Sequence, residues 1–193
     1  MAVSLRKGES VSLTKAAGDN GLSRVRMGLG WDVIKKRGLF GGNKEQSVDL
    51  DASCLLFDAG GTLLDQVWFR QLRSKDGAVQ HTGDNLTGAG DGDDESIVVD
   101  LTALPPVVQS LVFVVNSFTG QNFSQIQNAV CRLVDERGGR ELARYELSGS
   151  GSHTAQVMTK VTRGGDGWEM TAIGTPASGR TFNDLLPTIA QHL

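Results

Sequence analysis

Five acidic side chains crowd one glycine-bent stretch of this chain. Between His81 and Glu95 lie Asp84, Asp91, Asp93, Asp94 and Glu95, together with Gly83, Gly88, Gly90 and Gly92. The run has no apolar period, which predicts a surface loop rather than a strand or helix. No Lys or Arg occurs between Lys75 and Arg132, so no basic residue nearby in sequence offsets this charge. Two carboxylates about 6 Å apart repel by roughly 1 kcal/mol or more, and a bound cation would remove several such terms at once. Carboxylates, the Asn85 amide, the Thr87 hydroxyl and the free carbonyls of a bent loop are hard oxygen donors. Such donors suit Ca²⁺, whereas Zn²⁺ takes Cys and His.

Familiar calcium loops do not fit. Asp84 to Glu95 has the twelve-residue span of an EF-hand loop, but Leu86 and Gly88 stand where its third and fifth ligands belong, and Ala89 replaces the bend glycine. The Gly90-Asp91-Gly92-Asp93-Asp94 run echoes calcium-binding β-helix turns, which need stacked copies, and this chain has one. A second stretch adds donors. In Ser47-Val48-Asp49-Leu50-Asp51-Ala52-Ser53-Cys54, alternation sends Asp49, Asp51 and Ser53 to one face of a strand and Leu50, Ala52 and Cys54 to the other. Two carboxylates about 7 Å apart at a strand edge make half a metal site. Asp32, closing Gly28-Leu29-Gly30-Trp31, and Asn116, ending a strongly apolar strand, are further candidate oxygens.

The elements that must position these groups read as strands. Ser10–Thr14, Arg24–Met27, Ser47–Phe57, Leu63–Arg73 and Ile97–Leu101 are each predicted strands. Ser110–Asn116 is apolar on both faces, as a central strand would be. Two hairpins follow: Val130–Asp135 with Leu142–Leu147, turning at Arg137-Gly138-Gly139, and Ala155–Thr162 with Trp168–Ile173, turning at Gly164 to Gly167. Residues 34–46 read as a Lys- and Gly-rich loop with Phe40 exposed on it, Asn122–Asn128 as a short helix, and the segment after Thr181 as a helix with Leu185, Leu186 and Ile189 on one side. Regularly spaced strands without intervening long helices give an all-β fold, a sandwich with its carboxylate loops at one end. Residues 1–193 are expected to form one domain.

Gly28-Leu29-Gly30-Trp31-Asp32, Asp49-Leu50-Asp51-Ala52-Ser53, and His81-Thr82-Gly83-Asp84-Asn85-Leu86-Thr87-Gly88 running into Gly92-Asp93-Asp94-Glu95 resemble the bacterial TerD family of tellurium-resistance and stress proteins. Val3-Ser4-Leu5-Arg6-Lys7-Gly8, Gln121-Asn122-Phe123 and Ala143-Arg144-Tyr145 extend the similarity over almost the whole chain. Ser53 to Asp58 and the basic insert before Asp49 look closest to the TerZ branch. The resemblance implies a β-sandwich of two mainly antiparallel sheets with short peripheral helices, holding about two Ca²⁺ ions. It implies no catalytic activity, and leaves other stress proteins or homologous chains as the partners to consider. The metal ligands expected are Asp49, Asp51, Asp84, Asn85, Asp91, Asp93, Asp94 and Glu95, with Asp32 and Asn116 behind them.

Composition narrows the alternatives. A net charge of −3 and a pI near 5.6 argue against nucleic-acid binding. No stretch approaches a transmembrane span and Met1 to Lys7 lacks an apolar signal segment, so a cytoplasmic protein is expected. Cys54 and Cys131 are expected to be buried free thiols. Asp49-Leu50-Asp51-Ala52-Ser53 also resembles the Asp-x-Asp-x-Thr signature of haloacid-dehalogenase phosphatases, in which Asp49 would be the nucleophile and Asp51 the general acid beside Mg²⁺. That chemistry needs a buried parallel strand and βαβ units, and here a loop precedes and hairpins follow. A thiol-based tellurite-detoxifying protein is the other alternative, but an acidic loop repels an oxyanion such as tellurite. The expected protein is a non-catalytic calcium-binding module.

Overall fold

The computed structural model describes residues 3–18, 22–32, 34–37, 43–46, 49–83, 92–124, 126–146 and 151–193. In chain order its strands are β1 (Val3–Ser4), β2 (Ser10–Ser12), β3 (Arg24–Asp32), β4 (Ile34–Arg37), β5 (Asn43–Gln46), β6 (Leu50–Phe57) and β7 (Leu63–Val67). Then come β8 (Val79–His81), β9 (Glu95–Asp100), β10 (Ser110–Ser117), β11 (Gln127–Asp135), β12 (Arg140–Glu146), β13 (Ala155–Gly164) and β14 (Gly167–Ala177). Helix α1 (Leu13–Ala17) follows β2, and α2 (Phe182–Ile189) follows β14, running into a 3-10 turn at Ala190–His192.

These strands build two six-stranded sheets: β1-β12-β11-β3-β9-β8, here the first sheet, and β2-β14-β13-β10-β6-β7, the second; β4 and β5 pair separately. Among the described residues these pairings are antiparallel except β1 with β12. The predicted all-β fold is therefore observed, with β10 central in its sheet between β6 and β13.

The period of two decides what fills the space between the sheets. Met27, Leu29 and Trp31 of β3, Ile97 and Val99 of β9, and Cys131 and Leu133 of β11 meet Leu50, Ala52, Cys54 and Leu56 of β6 and Leu111, Phe113 and Val115 of β10. The alternate residues of the second sheet face a second core. Leu55, Phe57, Val112, Val114 and Val157 pack under Phe182, Leu185 and Ile189 of α2. Each of these helix side chains stabilises the docked helix by roughly 2 kcal/mol. The Asp184 carboxylate accepts the backbone N–H groups of Arg180 (2.9 Å) and Thr181 (3.1 Å), fixing where α2 begins.

Four local expectations are corrected. Ser10–Thr14 is a strand only to Ser12, whose hydroxyl then accepts the Lys15 N–H (3.2 Å) and starts α1. Residues 34–46 contain the β4–β5 hairpin rather than a loop alone; Phe40 lies outside the described residues. The strand at Leu63 stops at Val67, because the chain reverses at Trp68–Gln71 and Asp65 holds the returning segment through the Lys75 N–H (2.7 Å). Asn122–Asn128 is not a helix. Gln127 already pairs with Asp32, a bulge separates it from Val130, and Asn128 has a φ of 52°, a left-handed conformation that Asn tolerates. Ladder pairing to β3 overrides the weak local helix signal.

Candidate metal centre

Strand polarity brings the described candidates to one end of the sandwich. Asp32 ends β3, Asp49 precedes β6, Glu95 begins β9, and Asn116 lies one residue from the end of β10. At that end the sheets are joined directly: the Ala52 N–H of β6 donates to Glu95 Oε2 at 2.8 Å. Asp84, Asn85 and Asp91 lie outside the described residues.

On the second sheet, Asp51 and Asn116 are opposed across β6 and β10. Leu50 and Ala52 point into the core between the sheets, so Asp51 and Ser53 face the other way, as alternation predicts. That face is not open to water. Asp51 is 4% and Ser53 1% exposed, and the segment leading into α2 reaches this face at the Arg180 carbonyl. The Asn116 amide donates from Nδ2 to the Arg180 carbonyl (2.5 Å) and to Asp51 Oδ2 (3.2 Å). Its Oδ1 is buried and accepts no hydrogen bond among the described residues. A buried, unsatisfied carbonyl oxygen is costly and calls for a donor or a cation. The Asp49 backbone carbonyl accepts the Phe118 N–H at 3.1 Å, which fixes the strand head beside this pair.

On the first sheet the acidic run separates side chain by side chain. Glu95 continues the inward series of Ile97 and Val99. His81 Nε2 lies 3.4 Å from the same Oε2 that holds Ala52, and both side chains are fully buried. His81 Nδ1 accepts the Gly83 N–H (3.1 Å), so Nε2 carries the proton in the neutral ring. Asp94 extends the β3–β9 ladder past its last residue pair: its N–H donates to the Leu29 carbonyl (2.8 Å), and its Oδ2 accepts the Trp31 N–H (2.9 Å). Burial raises the Asp94 carboxyl above the ordinary range, and the nearby charges of Asp32 and Asp93 push it further in the same direction, against the Trp31 hydrogen bond. Asp32 Oδ2 accepts from the Asn128 amide at 2.6 Å.

Asp93 turns to the outer face of the first sheet. It pairs with Arg26 Nη1 and, at 2.7 Å, with Arg132 Nε. Both arginines lie far away in sequence, which is why a chain without basic residues between Lys75 and Arg132 looked locally uncompensated. Sequence reasoning missed them; the available signal was Arg26 in register with Gly28 and Gly30 on one strand face. Those glycines have a purpose. A Cβ on Gly28 would overlap the Asp93 carboxylate, and one on Gly30 would lie 2.9 Å from the Gly92 carbonyl oxygen. The Gly28-x-Gly30 spacing therefore lets residues 92–94 lie flat against β3.

Among the described residues no three His, Cys, Asp or Glu side chains converge as a metal site would require. The donor chemistry nonetheless fits a hard cation: the open acceptor is Asn116 Oδ1 and its neighbour is the Asp51 carboxylate, both hard oxygens. Cys54 and Cys131 are buried free thiols, as expected. Among the described residues no helix is long and apolar enough to cross a membrane.

The description "TerD domain" matches residues 1–188. Tellurium resistance protein TerZ of Serratia marcescens is 51% identical over 185 residues, covering 95% of this chain and 94% of that protein. Stress response protein SCP2 of Bacillus subtilis (strain 168) is 39% identical over 199 residues, covering 96% and 98% respectively. The crystal structure of a homologue of telluride resistance protein (TerD) from Streptomyces coelicolor A3(2) superposes with a TM-score of 0.73 at 22% identity, over 88% of this chain and 98% of that one, and supports the fold. Similarity of this extent along nearly its full length makes this chain a member of the TerD family, whose matched members are tellurium-resistance and stress-response proteins.

Proposed function

We propose that this protein is a calcium-binding, non-catalytic module of the tellurite-resistance and stress response named for its relatives, working in the cytoplasm. One observation carries the reading. Asn116 Oδ1 is a buried carbonyl oxygen without a hydrogen bond among the described residues, next to the Asp51 carboxylate at the end of the sandwich where the acidic loop leaves and returns. Asp49, Asp51 and Asp94, with Asp84, Asn85 and Asp91 of the loop, would hold about two ions; Asn116 and Asp32 would complete them. Bound calcium would neutralise the crowded carboxylates and fasten the loop to the strand ends, ordering a surface for another stress protein or a homologous chain.

Both catalytic alternatives lack support. Asp49 and Asp51 stand at the head of a strand in an antiparallel sheet, flanked by β10 and β7, and no βαβ unit lies behind them among the described residues. Cys54 and Cys131 are buried in the core between the sheets, where a thiolate is disfavoured. Titration calorimetry in metal-free buffer tests the proposal directly. A heat saturating near two equivalents of calcium is expected, and no heat at millimolar calcium would refute it. The wild-type protein with a generic phosphate ester and Mg²⁺ should show no turnover; turnover that vanished in Asp49→Asn would favour the phosphatase instead.

A further inference from the structure

We propose that Asp93 is a positioning residue, the anchor that fixes the returning end of the acidic loop against the first sheet, and not a ligand of the ion; its bearing on calcium rests on the function proposed above. The side chain is 5% exposed and sits over Gly28, where a Cβ would overlap its carboxylate. Arg132 lies directly opposite Gly28 on β11 and grips Asp93 Oδ1 at 2.7 Å, while Arg26, two residues before Gly28, grips Oδ2. Each guanidinium is itself held: Arg26 by Glu136 at 2.9 Å, and Arg132 by Glu141 at 3.7 Å, which also pairs with Arg144 at 2.8 Å.

Two positive charges on one nearly buried carboxylate make it a poor calcium ligand, because an ion there would displace or face both of them. The same clamp makes it a good anchor. Asp94 and Glu95 follow immediately, and their bonds to the Leu29 carbonyl, the Trp31 N–H and the Ala52 N–H all depend on where Asp93 is pinned. Pre-set placement of the next two carboxylates lowers the ordering cost of binding an ion at this end.

Ligand and anchor predict opposite signs for removing an arginine. If Asp93 were a ligand, Arg132→Met would free it from a competing cation and tighten calcium. If Asp93 is the anchor, Arg132→Met should reproduce Asp93→Asn. The test uses the full chain as wild type, Asp93→Asn, Arg132→Met and Arg24→Met, the last lying on the same face of β3 as Arg26, opposite Asp100 and without gripping Asp93. Hydrogen exchange in chelator reads the Asp94 and Trp31 amides, and calorimetry reads calcium. We expect about tenfold faster exchange of those two amides in Asp93→Asn and Arg132→Met but not in Arg24→Met. Calcium should weaken by about tenfold in the same two variants at unchanged stoichiometry. Unchanged exchange, a lost equivalent of calcium in Asp93→Asn, or tighter calcium in Arg132→Met would each overturn the proposal. Should Asp93→Asn fail to fold, Arg132→Met decides alone. Should the wild type bind no calcium, the proposed function falls, and the exchange measurement, made without calcium, still decides the anchor.

Discussion

Glu95 Oε2 accepts the Ala52 N–H at 2.8 Å, across from one sheet to the other. Strand β7 pairs with β6 only from Cys54 onward, so among the described residues no strand lies beside the outer edge of β6 at Ala52, and a side chain from the opposite sheet serves as its partner. Glu95→Ala leaves that buried N–H unsatisfied and removes side-chain volume from the closed end of the core. We expect a loss of about 2–4 kcal/mol in urea unfolding with chelator present. Glu95→Gln keeps an acceptor oxygen and should cost clearly less. Equal losses for the two variants would show that the carboxyl group matters through something other than Ala52.

Calcium should raise the melting temperature. An ion that binds only the folded chain stabilises it by about 2.7 kcal/mol at a hundredfold excess over its dissociation constant. For a chain of this length that amounts to about 5–10 °C. Magnesium demands octahedral geometry and keeps its waters, so it should do much less at equal concentration. Equal stabilisation by both ions, read in a thermal scan, would count against calcium and return weight to magnesium-dependent chemistry at Asp49 and Asp51.

The thiols should be silent. Burial pushes the Cys131 thiol up to about 12, with the Asp93 charge adding to it, and burial followed by the Asp65 charge pushes Cys54 higher still. Neither forms thiolate near neutral pH, so a disulfide reagent at pH 8 should modify no cysteine in the native protein and both after unfolding. Cys54→Ser and Cys131→Ser should leave calcium binding intact at a packing cost of about 1–3 kcal/mol each. Rapid native labelling, or loss of calcium heat in either variant, would revive a thiol role.

Several of these relationships are legible in the sequence and several are not, for separable reasons. Alternation in Leu50-Asp51-Ala52-Ser53-Cys54 correctly assigns the two faces of β6, because a strand's period is local. It does not reveal that the polar face is buried, since the segment that meets it, at Arg180, lies more than a hundred residues later. Acidic residues that look alike in a row, Asp93, Asp94 and Glu95, end up on an outer face, along a ladder and between the sheets. The partners of Asp93, Arg26 and Arg132, lie 67 and 39 positions away, and no local pattern announces them. Residues 34–46 hide a hairpin because a Lys- and Gly-rich composition has no apolar alternation to read.

Asp65 supplies a pH dependence that is independent of any metal. Burial raises its carboxyl, but hydrogen bonds from the Lys75 N–H (2.7 Å), the Gln71 amide (2.9 Å) and the Gln66 N–H (2.9 Å) outweigh burial and leave it below the ordinary carboxylate range. Lys75 Nζ, 4.0 Å away on a side chain 80% exposed, adds little. A carboxylate with a depressed folded value contributes stability above its unfolded value, and that contribution is lost as pH falls through the folded value. Asp65→Asn in chelator should therefore cost about 1.5–3 kcal/mol at pH 7, where the charged acceptor holds the Gln71–Lys75 segment against β7. The difference between wild type and variant should shrink below about pH 4, where the unfolded carboxylate begins to protonate. Urea unfolding of both proteins across the acid range measures it. A difference that stayed constant down to pH 2 would mean that Asp65 acts through shape and not through charge.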